Sequence, residues 1–155
     1  MPVLLAVFLL GVVAGLRTMT PLAAIAWAAG LGWISLGGTW AAFVARPIVR
    51  YGVSLLALGE LVVDKLPTTP SRKAPGPFAA RVVSGTCCGA SLGAAHGTLI
   101  AGAVVGALGA VAGTLGGYAA RARLARAFGR DLPAALLEDV VAVVAALWIA
   151  GHVAA

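Results

Sequence analysis

The chain has 155 residues, of which 61% are hydrophobic and only 10% charged, with a formal net charge of +6. Soluble domains carry about 25% charged residues, so this composition, with a mean hydropathy of +1.03, excludes an ordinary water-facing surface. It predicts an all-α, polytopic membrane protein forming a single transmembrane domain over residues 1–155. The basic balance does not point to nucleic acid, because the bases cluster in two short loops between apolar segments, as membrane topology requires.

Five spans are expected. The first runs from about Val3 to Gly30, with no basic residue before it, so it reads as a retained span rather than a cleaved leader. Within it, "GVVAGLRTMTPLAA" (11–24) places an arginine, two threonines and a proline in an apolar run, predicting a break over Arg17–Pro21. An arginine inside a bilayer must face protein or water. Two readings of Arg17 stand: a bidentate contact for an anion, or an internal ion pair with Glu60. Thr18, Thr20 and the carbonyls freed by Pro21 supply local polar partners.

Residues 33–45 are too short to cross, and Trp33 and Trp40 suit an interfacial segment. The second span follows Pro47 and ends near Leu66. Glu60 and Asp64 share one face of it. Glu60 is the deeper and reads as a proton or cation site, Asp64 as interfacial, and Lys65 lies at the membrane edge. "PTTPSRKAPGP" (67–77), with four prolines, is expected to be a non-helical loop.

The third span covers about Phe78 to Ala95, with Gly97 at the turn. Arg72, Arg81 and Ser84 flank its start, where backbone donors and arginines suit a phosphate or lipid headgroup; ordinary inside-positive charge is the competing reading. Cys87 and Cys88 are adjacent and read as small packing residues, without disulfide or metal.

The fourth span begins near Thr98, is expected to be interrupted midway, and continues into "RARLAR". "GRDLP" (129–133) closes it, with Pro133 in the first turn of the fifth span. Glu138 and Asp139 lie early in that last helix, where the positive dipole end favours carboxylates; Glu138 is the candidate for a functional role. His96 and His152 read as interfacial. Eight bases flank the loops after spans two and four against two, Arg46 and Arg50, on the other side. The positive-inside rule then places the N-terminus in the cytoplasm and the C-terminus outside the cell membrane.

Two patterns cross these elements. Gly85, Gly89, Gly93 and Gly97 recur every fourth residue, Gly102 to Gly117 continue the series, and Gly11 pairs with Gly15. Such stripes predict tight helix packing, within the chain or in a homodimer. "GVVAG" (11–15) also echoes "GAVAG" (109–113), and "ALGELVV" (57–63) echoes "ALLEDVV" (135–141). The echoes are either an inverted repeat, with halves 1–66 and 98–155 joined by the span 78–95, or chance in a chain rich in small apolar residues.

"GLRTMTPLAAIAWAA", "GELVVDKLPTTPSRKAPGPFAARVVSG" and "GTLGGYAARARLA…ALLEDVVAV" together resemble the bacterial membrane-protein family called domain of unknown function 4126. The resemblance implies a small integral membrane protein and brings no activity with it. Among its polar motifs fall Arg17, Thr18, Pro21, Glu60, Asp64, Arg72, Arg81 and Glu138, without roles.

No nucleophile–base set, metal-ligand spacing or phosphate-binding glycine loop is visible, so neither an enzyme nor a cofactor is expected. The leading expectation is a transporter or channel-like protein for an anionic or lipid-linked solute. Arg17 would contact the solute with Thr18 and Thr20 beside it, Glu60 and Glu138 would titrate, Arg72 and Arg81 would form the cytoplasmic gate, and Ser84 would be a further solute-binding residue. The alternative is a structural or accessory membrane protein whose polar groups are internal glue. Membrane lipids are the expected partners.

Overall fold

The computed structural model describes residues 1–66 and 71–153, and among them the only regular structure is helical. The elements are α1 (Val3–Leu16), α2 (Thr20–Gly30), a short 3-10 segment (Trp40–Ala45), α3 (Pro47–Val63), α4 (Pro75–Ala95), α5 (Leu99–Phe128) and α6 (Asp131–Val153). Two of them, α5 and α6, are long and apolar enough to cross a membrane.

Glycine builds the centre. A Cβ on Gly85 or Gly89 of α4 would run into the backbone of Gly106 or Gly102 of α5, and one on Gly11 or Gly15 of α1 into the backbone around Gly106–Thr114. Backbones this close leave no room for side chains. Apart from Gly97, which sits in a turn at φ 71° with open space around it, the stripe glycines are answered by contacts inside one chain.

The same contacts give helix directions. Phe8, Val12 and Leu16 lie against Gly109, Gly113 and Gly117 in turn, so α1 runs parallel to α5; Gly93, Gly89 and Gly85 lie against Thr98, Gly102 and Gly106, so α4 is antiparallel to it. Along α3, Met19, Trp27 and Gly30 meet Glu60, Ser54 and Arg50, so α2 runs against α3. Beyond α2, Trp33 reaches Gly151 near the end of α6. These directions make α1 and α2 a helical hairpin that turns at Arg17–Met19 and returns to the end of the bundle from which it came.

This corrects the expectation of one broken first span. Helices of 14 and 11 residues extend only about 21 and 17 Å, each short of the ~30 Å hydrocarbon core. The break at Arg17–Pro21 suits a kink and a reversal alike, so composition carries no mark of which one it is. The described N- and C-terminal residues consequently lie at one end of the molecule, not at opposite ends. Arg17 contacts Asp139, the ninth residue of α6, and Asp64 just past the end of α3, and so lies in the half of the bundle that holds most of the basic residues.

The fourth helix is unbroken, since α5 runs continuously through Gly109–Gly113 and ends on Gly129 in the left-handed region at φ 67°. The echoing "GVVAG" and "GAVAG" segments pack against each other and run in the same direction, where an inverted repeat needs opposite ones. Their likeness is that of two faces of one glycine contact. Helix α4 begins at Pro75 rather than Phe78, because prolines are tolerated in a first turn whose N–H groups have no intrahelical acceptor. The expected loop residues 67–70 lie outside the described residues.

Helix α3 is peripheral and has no buried residue. Ile48, Leu55, Leu58 and Val62 are between 61% and 79% exposed.

Candidate functional site

The turn between α1 and α2 interrupts the helical ladder and leaves backbone groups without intrahelical partners. Two neighbouring helices supply them. The Glu60 carboxylate, from α3, accepts from Thr18 N at 2.7 Å and Met19 N at 2.8 Å, and Ser84 Oγ, from α4, donates to the Thr18 carbonyl at 2.5 Å. Glu60 thus serves the start of α2 as an N-cap from another helix, at its positive dipole end. It is not the ion-pair partner of Arg17. Ser84, expected beside Arg72 and Arg81, lies instead at the hairpin turn and does not line the cavity those arginines share.

Arg17 is fully buried, with Nε donating to Asp139 Oδ1 at 2.6 Å and Nη1 paired with Asp64. Its Nη2 lies 2.5 Å from Asp139 Oδ1 but off the hydrogen-bonding direction, so that nitrogen is ion-paired without a proper acceptor. Both carboxylates are shared. Asp139 Oδ2 takes Lys65 Nζ at 2.5 Å, and Asp64 Oδ2 faces Arg81 Nη2 at 3.5 Å. Asp64 and Asp139, expected to be interfacial and dipole-stabilised, are instead the two carboxylates that hold the buried arginine.

A second group adjoins the first through α6. Arg72 and Glu138 form a two-bond fork, Nη1–Oε1 at 2.5 Å and Nη2–Oε2 at 2.9 Å, both side chains buried. Gly117 makes room for it, since a Cβ there would stand 3.2 Å from Arg72 Nη1 and 3.3 Å from Glu138 Oε1. Arg121 joins this pair to the surface, 3.7 Å from Glu138 and hydrogen-bonded through Nε and Nη2 to Asp131 at 2.9 and 2.6 Å. All five acidic side chains are thereby engaged at one end of the bundle, Glu60 by backbone N–H groups and the other four by the cations Arg17, Lys65, Arg72, Arg81 and Arg121.

Beside these pairs opens a polar cavity of about 520 Å³, walled by Lys65, Ser71, Arg72, Arg81, Tyr118 and Arg121 with Asp64 and Asp131. Arg81 is 3% exposed, and its Nε has no hydrogen-bond acceptor. Thr20 lies elsewhere. Its buried hydroxyl, without a partner, lines an apolar groove of about 240 Å³ between α2, α3 and α6.

Of the candidate residues, Arg17, Thr18, Glu60 and Ser84 meet at the hairpin turn, Arg72, Arg81 and Glu138 at the cavity and its floor, and Thr20 at neither. Asp64, Lys65, Arg121, Asp131 and Asp139 complete the network. Their signal in sequence was only their clustering at predicted helix ends. Neither a family model, a curated protein nor a solved structure matches the chain.

Proposed function

We propose that the protein is a polytopic cell-membrane protein acting as a transporter or channel-like protein for a small anionic or lipid-linked solute. In this reading α3 to α6 cross the bilayer and the α1–α2 hairpin dips in from the face that holds both described termini. The apolar exteriors of α3, α5 and α6 support a lipid environment, since soluble monomers rarely expose such continuous apolar surface. The basic end faces the cytoplasm, by the excess of Lys and Arg in and beside the α3–α4 and α5–α6 connections. Both termini then lie outside.

The observation that carries the solute reading is the shared carboxylate of Asp64. It pairs with Arg17 at the buried hairpin turn and faces Arg81 in the cavity wall. An anion entering the cavity would compete with Asp64 for Arg81 and leave Asp64 to Arg17, coupling cavity occupancy to the hairpin. A discontinuous helical segment at a polar site is the usual equipment of small transporters. The reading involves no catalysis, and it shifts the first solute contact from Arg17 to the cavity arginines.

The test is flux of inorganic phosphate and of chloride in proteoliposomes for the wild type, Asp64→Asn and Arg17→Lys. Wild-type flux that falls in both folded variants supports the reading. Flux unchanged in both rejects it. A second reading, that of a structural or accessory membrane protein, is favoured by the engagement of every carboxylate in an internal contact. Absence of flux in the wild type, with the network variants losing stability only, selects it.

A further inference from the structure

We propose that the cavity at the basic end is a binding site for a phosphoryl group, with Arg81 as its anchor and Arg121 as its second, exchangeable contact. The proposal rests on the solute reading for its biological purpose, but the binding chemistry stands on the cavity alone.

The cations around the cavity are not equally free. Arg72 has two donors on Glu138, and Lys65 is held by Asp139 and the Leu61 carbonyl. Arg81 is different. It is buried, its Nε has no acceptor, and its single carboxylate contact is the long one to Asp64, which Arg17 already holds more closely. A buried donor without an acceptor costs free energy that a ligand oxygen would recover. The guanidinium therefore offers Nε and the adjacent Nη to one anion, the planar fork that suits phosphate oxygens.

Arg121 supplies the second contact by exchange. Its partner Asp131 is 61% exposed, so that pair can open to solvent at little cost, whereas the Arg72–Glu138 pair is buried. A phosphoryl group has oxygens for both arginines, and the Ser71 and Tyr118 side chains line the same space. A cavity of about 520 Å³ exceeds what inorganic phosphate fills and leaves room for the group that bears it. That group is either a soluble phosphate ester or the headgroup of a phospholipid.

The experiment uses the full chain purified in detergent. Binding of inorganic phosphate and of glycerol 3-phosphate is measured by calorimetry, and retention of phosphatidylglycerol against phosphatidylcholine by native mass spectrometry. Arg81→Gln should weaken phosphoryl binding at least tenfold, Arg121→Gln less, and Arg126→Gln, outside the cavity, not at all. If Arg81→Gln fails to fold, Arg81→Lys, which keeps the charge but not the fork, must show the loss. Binding of the soluble esters identifies a free solute, and retention of phosphatidylglycerol alone identifies a headgroup. Wild-type affinity in the folded Arg81 variant, or no binding of any probe to the wild type, overturns the site. Binding without flux leaves the site standing and removes transport; flux that survives loss of binding does the reverse.

Discussion

Arg17 Nε donates to Asp139 Oδ1 at 2.6 Å across 122 positions of sequence, and this contact fastens the turn of the α1–α2 hairpin to α6. With Asp64 on its other side, Arg17 joins three segments distant in the chain. Buried ion pairs of this kind add little net stability over an apolar replacement, but removing one partner strands the other.

That asymmetry gives the first prediction. Arg17→Met should cost about 3–5 kcal/mol, because Asp64 and Asp139 lose their shared cation. Adding Asp64→Asn should restore a large part of the loss, since Asp139 keeps Lys65. Adding Glu60→Gln should restore nothing. Thermal unfolding of the purified variants is the measurement, and recovery by Glu60→Gln rather than Asp64→Asn would show that the pairing is assigned to the wrong carboxylate.

Glu60 and Ser84 hold backbone rather than charge, so their variants should behave differently. Glu60→Ala leaves two buried N–H groups without acceptors, at about 1–3 kcal/mol each, and Ser84→Ala removes one donor from the Thr18 carbonyl, at about 1 kcal/mol. Faster amide exchange should be confined at first to Thr18 and Met19. Exchange spread evenly over α1 and α2 in Glu60→Ala would mean that the carboxylate does not cap the turn.

The break at Arg17–Pro21 was legible because an arginine and a proline have few uses inside an apolar run, and the glycine stripes were legible because their spacing matches a helix face. The reversal at the break was not, since a hairpin and a kinked span have the same composition. Nor were the partners of Arg17. Glu60 and Asp64 share a face of α3, and only the register of α3 against α1 decides which reaches the guanidinium. Asp139 had a sufficient local explanation at a helix start, and proximity across 122 residues leaves no trace in one sequence.

Packing at the glycine faces gives a graded prediction. Gly113→Leu would drive a side chain into the Val12 backbone and Gly89→Leu into Gly102, so each should destabilise by about 1–3 kcal/mol or more. Because these contacts are within one chain, thermal stability should fall without a change in oligomeric state. Gly116→Ala, which meets nothing, should be neutral or stabilising by about 0.5–1 kcal/mol through helix entropy. A change of oligomeric state with unaltered monomer stability would place the stripes between copies instead.

The hairpin makes the strongest demand on topology. If α1 and α2 together cross the bilayer once, Pro2 and His152 face opposite sides; if they form a hairpin in a bundle of four crossing helices, both face the same side. Single cysteines at Pro2, His152, Ser71 and Arg126, in a Cys87→Ala, Cys88→Ala background, separate the two. In right-side-out vesicles an impermeant maleimide should label Pro2→Cys and His152→Cys and should reach Ser71→Cys and Arg126→Cys only after lysis. The segments around Ser71 and Arg126 hold most of the bases, so their cytoplasmic placement follows from charge, whereas the external placement of Pro2 follows only from the reversal at Arg17–Met19. Labelling of Pro2→Cys together with Ser71→Cys would therefore leave the charge argument intact and eliminate the hairpin.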